Sequence, residues 1–238
     1  MWAFSLKDKV SEPGYLCELC EFSNLDDFND PFDGRLKYPK RYTQEEIYNY
    51  LTRISSDSHS KEDIEKKARA LFYNPEEQNR IIAKSISEQK KETKICCFSR
   101  DNSNLLMWAH YANAHKGVGL EFNLTVDPAF FIAPVDVVYK SDYVESNLLS
   151  DPKTTVMNLV RTKSLDWQYE KEIRIVKLNE KKNKFYYNSD ALVSIIFGCK
   201  CSDEDINMII GIMGSKIKYK KCVLDNECYK INIKDMAL

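Results

Sequence analysis

Glu170 and Glu172 stand two residues apart in Trp167-Gln168-Tyr169-Glu170-Lys171-Glu172-Ile173-Arg174. On an extended strand side chains alternate between faces, so Glu170, Glu172 and Arg174 would share one. Two carboxylates and a guanidinium on one face make either a surface charge ladder or a site. As a site, one carboxylate can stabilise a developing positive charge while the other takes up a proton. That chemistry needs no metal.

A second segment, Cys97-Phe98-Ser99-Arg100-Asp101-Asn102-Ser103-Asn104-Leu105-Leu106-Met107-Trp108-Ala109-His110-Tyr111, passes from an apolar run through polar residues into aromatic ones. It reads as a strand ending, a turn and a helix start. Such a junction offers Ser99 and free helix N–H groups to an anion. Trp108 is expected in the core, and His110 or Tyr111 against a ligand. A third segment, Phe28-Asn29-Asp30-Pro31-Phe32-Asp33-Gly34, anchors a turn with two aromatics. Its Asn29, Asp30 and Asp33 can bond either backbone or ligand. A metal hydrolase built on His110, His115 and Asp30 is a further reading. Its weakness is spacing, because histidines five apart do not share a helix face.

The elements that must position these residues read as follows. Residues 14–22 mix apolar and acidic positions and suggest a short helix. Trp2–Ser5 is an early strand, and Leu25–Gly34 an ordered loop. Helices are expected over 44–54, from a Ser60 cap through Ile64, Ala68 and Leu71, and again from Pro75 through Ile81, Ile82 and Ile86. This charged stretch, 44–92, reads as a helical lobe or insertion. Strands are expected at Ile95–Phe98, Val118–Phe122, Val135–Tyr139, Ile173–Leu178, Leu192–Phe197, 221–224 and 228–233. Further helices are expected after Ser103 and ending at Gly117, over 152–164, and after Ser202. Spaced strands with segregated helices predict an α+β fold in one domain spanning 1–238.

Composition narrows the class. Hydrophobic residues make up 43% and charged residues 30% of the 238, a globular balance. No run approaches the ~20 apolar residues of a membrane helix. The opening Met1-Trp2-Ala3-Phe4-Ser5 lacks the layout of a signal peptide, so a cytoplasmic location with no membrane partner is expected. A net charge of -1 gives no general affinity for nucleic acid. Lys216, Lys218, Lys220 and Lys221 read as a solvated edge. Of eight cysteines, Cys17 and Cys20 form a C-x-x-C, and Cys199 and Cys201 a C-x-C. With no His beside either pair, reduced thiols are expected rather than a zinc site.

Phe28–Asp33, Cys97–Phe122 and Lys163–Val176, followed by Leu192–Gly198 and a helix, resemble in this order the bacterial family known as domain of unknown function 2971. The resemblance spans most of the chain except 44–92. More distantly, the strand ending in Phe98-Ser99 and the Glu170-Lys171-Glu172 run are similar to motifs of ADP-ribosyltransferases. That likeness implies a mixed or antiparallel sheet core of the ADP-ribosyltransferase type and NAD as substrate. It implies Glu172 as the catalytic carboxylate, Glu170 nearer the acceptor, and Ser99 in the ribose pocket. Arg100, His110, Tyr111, Asn29 and Asp30 become the candidate NAD-binding residues. Those enzymes usually place an Arg or His on an early strand. Trp2–Ser5 has neither, which leaves Arg35 or Arg100 as substitutes.

The expected activity is therefore ADP-ribosyl transfer to a macromolecular acceptor, protein or nucleic acid. It would suit a bacterial toxin or anti-phage effector restrained by a neutralising antitoxin protein. NAD hydrolysis and a non-catalytic ligand- or protein-binding module remain open.

Overall fold

A computed structural model describes residues 2–5, 19–55 and 60–237. The chain forms a mixed α+β fold around an eight-stranded sheet of order β12-β11-β10-β4-β1-β3-β8-β5. The strands are β1 (Trp2–Ser5), β3 (Lys94–Ser99), β4 (Val118–Phe122), β5 (Val135–Asp136), β8 (Glu172–Lys177), β10 (Leu192–Phe197), β11 (Lys218–Leu224) and β12 (Ile231–Asp235). All neighbours pair antiparallel except β10 and β11. That parallel pair needs a crossover, and helix Asp203–Met213 supplies it, capped by Ser202 as its sequence requires.

Two small pairs flank the sheet. β2 (Leu19–Glu21) lies antiparallel to β9 (Lys184–Tyr186), and β6 (Val138–Lys140) parallel to β7 (Thr162–Ser164). The helices are α1 (Gln44–Ile54), α2 (Lys61–Phe72), α3 (Pro75–Glu92), α4 (Leu105–Tyr111), α5 (Pro152–Arg161) and α6, the crossover helix just described.

Both faces of the sheet are covered, which explains why β10 is almost continuously apolar. Ile195 and Phe197 enter an aromatic cluster with Phe98, Phe122, Phe130 and Phe131. Ile196, on the other face, meets Trp108, Cys222 and Ile231. Trp108 is fully buried and donates its indole N–H to the Asn102 carbonyl at 2.7 Å. The helices α1–α3 pack around their own cluster of Ile47, Ala68 and Ile82, joined by Leu148 and Leu149.

Several expected elements differ. Leu19–Glu21 is a strand, not part of a helix, because β9 satisfies its backbone; residues 14–18, with Cys17, lie outside the described residues. The stretch 152–164 is helical only to Arg161. The Thr162 hydroxyl bonds back to the Asn158 carbonyl and the chain leaves as β7, paired with β6. Val135–Tyr139 is split, the first part joining β8 and the second β7. Asn104, not Ser103, caps α4. That helix ends at Tyr111, well before Gly117, where Asn113, Ala114 and His115 take left-handed conformations (φ 47, 51 and 69). The last two strands start at Lys218 and Ile231 rather than 221 and 228, their register set by pairing with β10 and with each other.

Candidate functional site

The first four residues of β8 alternate between charge and apolar side chains. Ile173 and Ile175 enter the aromatic cluster, so alternation turns Glu172 and Arg174 to the opposite side. There they meet three other charged side chains. Asp33 arrives on the loop before α1, Lys163 on β7, and Glu170 at the end of the 3-10 helix Leu165–Glu170.

Glu170 is thus not on the strand, as the two-residue spacing suggested. Lys171, left-handed at φ 45, turns the chain between them. The carboxylates of Glu170 and Glu172 nevertheless converge on one ammonium. Lys163 Nζ lies 2.5 Å from Glu170 Oε2, 3.0 Å from Glu172 Oε2 and 4.0 Å from Asp33 Oδ2. Arg174 forks between Asp33, at 2.5 and 3.0 Å, and Glu172, at 2.7 and 3.1 Å. Its Nη1 also donates to the Val160 carbonyl at 3.0 Å. Aromatic rings cover both cations: Trp167 lies 5.0 Å from Lys163 Nζ, and Phe28 5.2 Å from the Arg174 guanidinium carbon.

All five charged side chains are buried, Arg174 completely. Charges so placed persist only when paired and hydrogen-bonded. The two glutamates respond in opposite directions. Burial raises Glu170 above its ordinary value, even though Lys163 and the Tyr111 hydroxyl favour its charged form. Burial acts the same way on Glu172, but Arg174 and Lys163 outweigh it and bring the carboxyl down to about 2. Burial would discharge Lys163, yet Glu172 and Glu170 hold it protonated.

The other expected site residues divide. Tyr111, half-buried, donates to Glu170 Oε1 at 2.6 Å and accepts from Asn29 Nδ2 at 3.3 Å, so both border the network. Ser99 is buried and donates to the Glu170 backbone carbonyl at 2.7 Å, positioning that residue rather than facing open space. Arg100 turns away and pairs with Asp136 on the surface. His110 is exposed on α4, its ring 6.3 Å from those of Tyr111 and Tyr169. Asp30 is buried; Oδ1 accepts from the Phe32 N–H, and Oδ2 has no partner. Among the described residues no three His, Cys, Asp or Glu side chains are grouped as metal ligands, His110, His115 and Asp30 included.

Sequence reading undervalued three participants. In the sequence Asp33 reads as a turn residue bonding either backbone or ligand, Lys163 as the edge of a motif, and Tyr139 as a strand residue. The Tyr139 hydroxyl accepts the Glu172 backbone N–H at 2.8 Å. Lys163 carries the one available signal, a cation seven residues before the first carboxylate of the Glu-x-Glu-x-Arg alternation.

Lys163 also lines a cleft of about 340 Å³ together with Phe32, Arg35, Lys140, Asp142 and Tyr143. Phe32 and Tyr143 are exposed there, and Arg35 stacks 5.8 Å from the Phe32 ring centre. A ring can therefore stack and an anion can pair in the same cleft.

Fold and site together define an α+β protein with a buried network of alternating charge beside a polar cleft. The family model described as "Protein of unknown function (DUF2971)" matches residues 107–175. That match takes in Tyr111, Lys163, Glu170, Glu172 and Arg174. No curated protein and no solved structure matches the chain. No helix among the described residues is long and apolar enough to cross a membrane.

Proposed function

We propose that the protein transfers ADP-ribose from NAD, with the dinucleotide in the cleft beside Lys163 and an ADP-ribosyltransferase-like use of the sheet. The observation that carries this reading is the splitting of the two carboxylates: Glu170 is raised and Glu172 is lowered to about 2, and one Lys163 joins both to the cleft. Adjacent acids whose environments drive them apart are suited to separate roles.

Glu172 stays anionic and opposes the positive charge that builds on the ribose as its bond to nicotinamide breaks. The bonding pair leaves with nicotinamide, and the acceptor forms the new bond at the same carbon. Glu170 takes the acceptor's proton. Tyr111 and Asn29 flank it, and Arg35 and Lys140 offer positive charge to the phosphates. A macromolecular acceptor makes the protein a modifying effector, of the kind used as a toxin or in phage defence and restrained by a neutralising protein. Water as the nucleophile makes it an NAD glycohydrolase.

A second reading rests on the same network. Both oxygens of Glu172 are engaged by Arg174 and Lys163, as in a module that binds its ligand without chemistry. One experiment separates the readings. Incubation with NAD, followed by mass spectrometry, is expected to show free nicotinamide and ADP-ribose on an acceptor. Glu170→Gln and Glu172→Gln should each slow this by about 10²-fold or more. NAD binding without nicotinamide release favours the non-catalytic module, and a fully active, folded Glu172→Gln protein removes Glu172 from the mechanism.

A further inference from the structure

The alternation that turns Glu172 and Arg174 toward the site turns Cys96 away from it. Cys96 faces the aromatic cluster from β3, and Cys20 reaches the same place from β2. Their sulfurs are 3.2 Å apart, and both residues are half-buried. The backbones beside them are locked together. Ser23 and Ile95 exchange two hydrogen bonds of 2.9 Å, so the sulfurs are held in register by more than their own contact. The cysteines are 76 positions apart in the chain. The loop between them contains Asp33 and all of α1, α2 and α3.

We propose that Cys20 and Cys96 are a reversible disulfide-forming pair that staples β2 to β3 and closes the loop bearing the helical lobe. The chemistry is a two-electron oxidation by a peroxide. One thiolate attacks the peroxide, giving a sulfenic acid and water. The second thiol displaces the sulfenic hydroxyl as a second water and forms the sulfur–sulfur bond. A dithiol reductant reverses the step by exchange. Its hydrogen bond with Cys20, together with burial, favours the protonated Cys96 thiol and holds it well above its ordinary range. The Cys96 thiolate is therefore scarce at neutral pH. Cys97 points to the other face, against Glu172, and cannot join this bond. The staple does not depend on ADP-ribosyl transfer.

Joining residues so distant in sequence restricts the unfolded chain strongly. The full chain treated with hydrogen peroxide at mildly alkaline pH should lose two hydrogens in mass. Digestion without reductant should then yield a linked Cys20–Cys96 peptide. The melting temperature should rise by about 5–15 °C, and dithiothreitol should cancel the rise. Cys20→Ser and Cys96→Ser should each abolish both the linked peptide and the shift. A Cys17–Cys20 link, singly oxidised cysteines without a link, or a linked peptide with no rise in melting temperature would each overturn the proposal.

Discussion

The helical lobe and the β8 network are equally rich in charge and use it in opposite ways. On α3, Arg80 pairs with Glu77 and Lys84 with Glu88 in open solvent. Such pairs are screened and contribute little; the helices stand on caps and on the apolar stripe through Ile47, Ala68 and Ile82. Around β8, Arg174, Glu172, Asp33, Lys163 and Glu170 are out of water. Each is tolerable only because the others are present. Deleting an exposed charge removes a weak interaction, whereas deleting a buried one strands its partners.

The largest expected effect follows from Arg174. Arg174→Ala leaves Asp33 and Glu172 buried beside Lys163 alone, and should cost about 3–5 kcal/mol in urea unfolding. A loss below about 1 kcal/mol would mean that water reaches the network and that the contrast with the lobe is false.

Acid sharpens the same contrast. The Glu172 carboxyl is lowered from 4.5 to about 2 on folding. Its stabilisation is therefore fully present above pH 4.5 and is lost as pH falls through about 2. It amounts to on the order of 3 kcal/mol. Glu170 acts with the opposite sign, because its folded value is raised, so stability declines as pH rises past 4.5 through that value. Unfolding midpoints between pH 5 and pH 2 should fall steeply for the wild type and less so for Glu172→Gln. Equal slopes in the two proteins would refute the assignment.

Effects in the lobe should be smaller. Ser60 accepts the Asp63 N–H at the start of α2, and Ser60→Ala should cost about 1 kcal/mol. Arg80→Ala should leave the thermal melt unchanged. Nicotinamide release should be unaffected in both, since none of the network residues lies between 44 and 92. A large loss in Arg80→Ala would place the lobe's surface charge among its structural supports.

The lobe was also the more legible region. Ser60 and Pro75 mark helix starts as expected, and the structure adds side-chain caps from Thr43 and Asn74. Val118–Phe122 and Leu192–Phe197 were equally plain, because their apolar runs match strands covered on both sides. Short elements were less so. Leu19–Glu21 and Thr162–Ser164 are strands only because β9 and β6 lie beside them.

The sequence by itself determined where long helices begin, which runs enter the core, and that Glu172 and Arg174 share one face of a strand. These follow from interactions a few residues long, in which capping, alternation and periodicity decide the outcome. Only the tertiary structure decided that Glu170 reaches the network from a 3-10 helix, that Arg100 leaves it for Asp136, and that Asp33 and Lys163 complete it. Asp33 and its partner Arg174 lie 141 positions apart. Their meeting depends on β8 pairing with β3 and on the Asp33 loop and β7 closing over the same face. A buried charge takes its partners from whatever the fold brings within about 4 Å, and no local pattern encodes that neighbourhood.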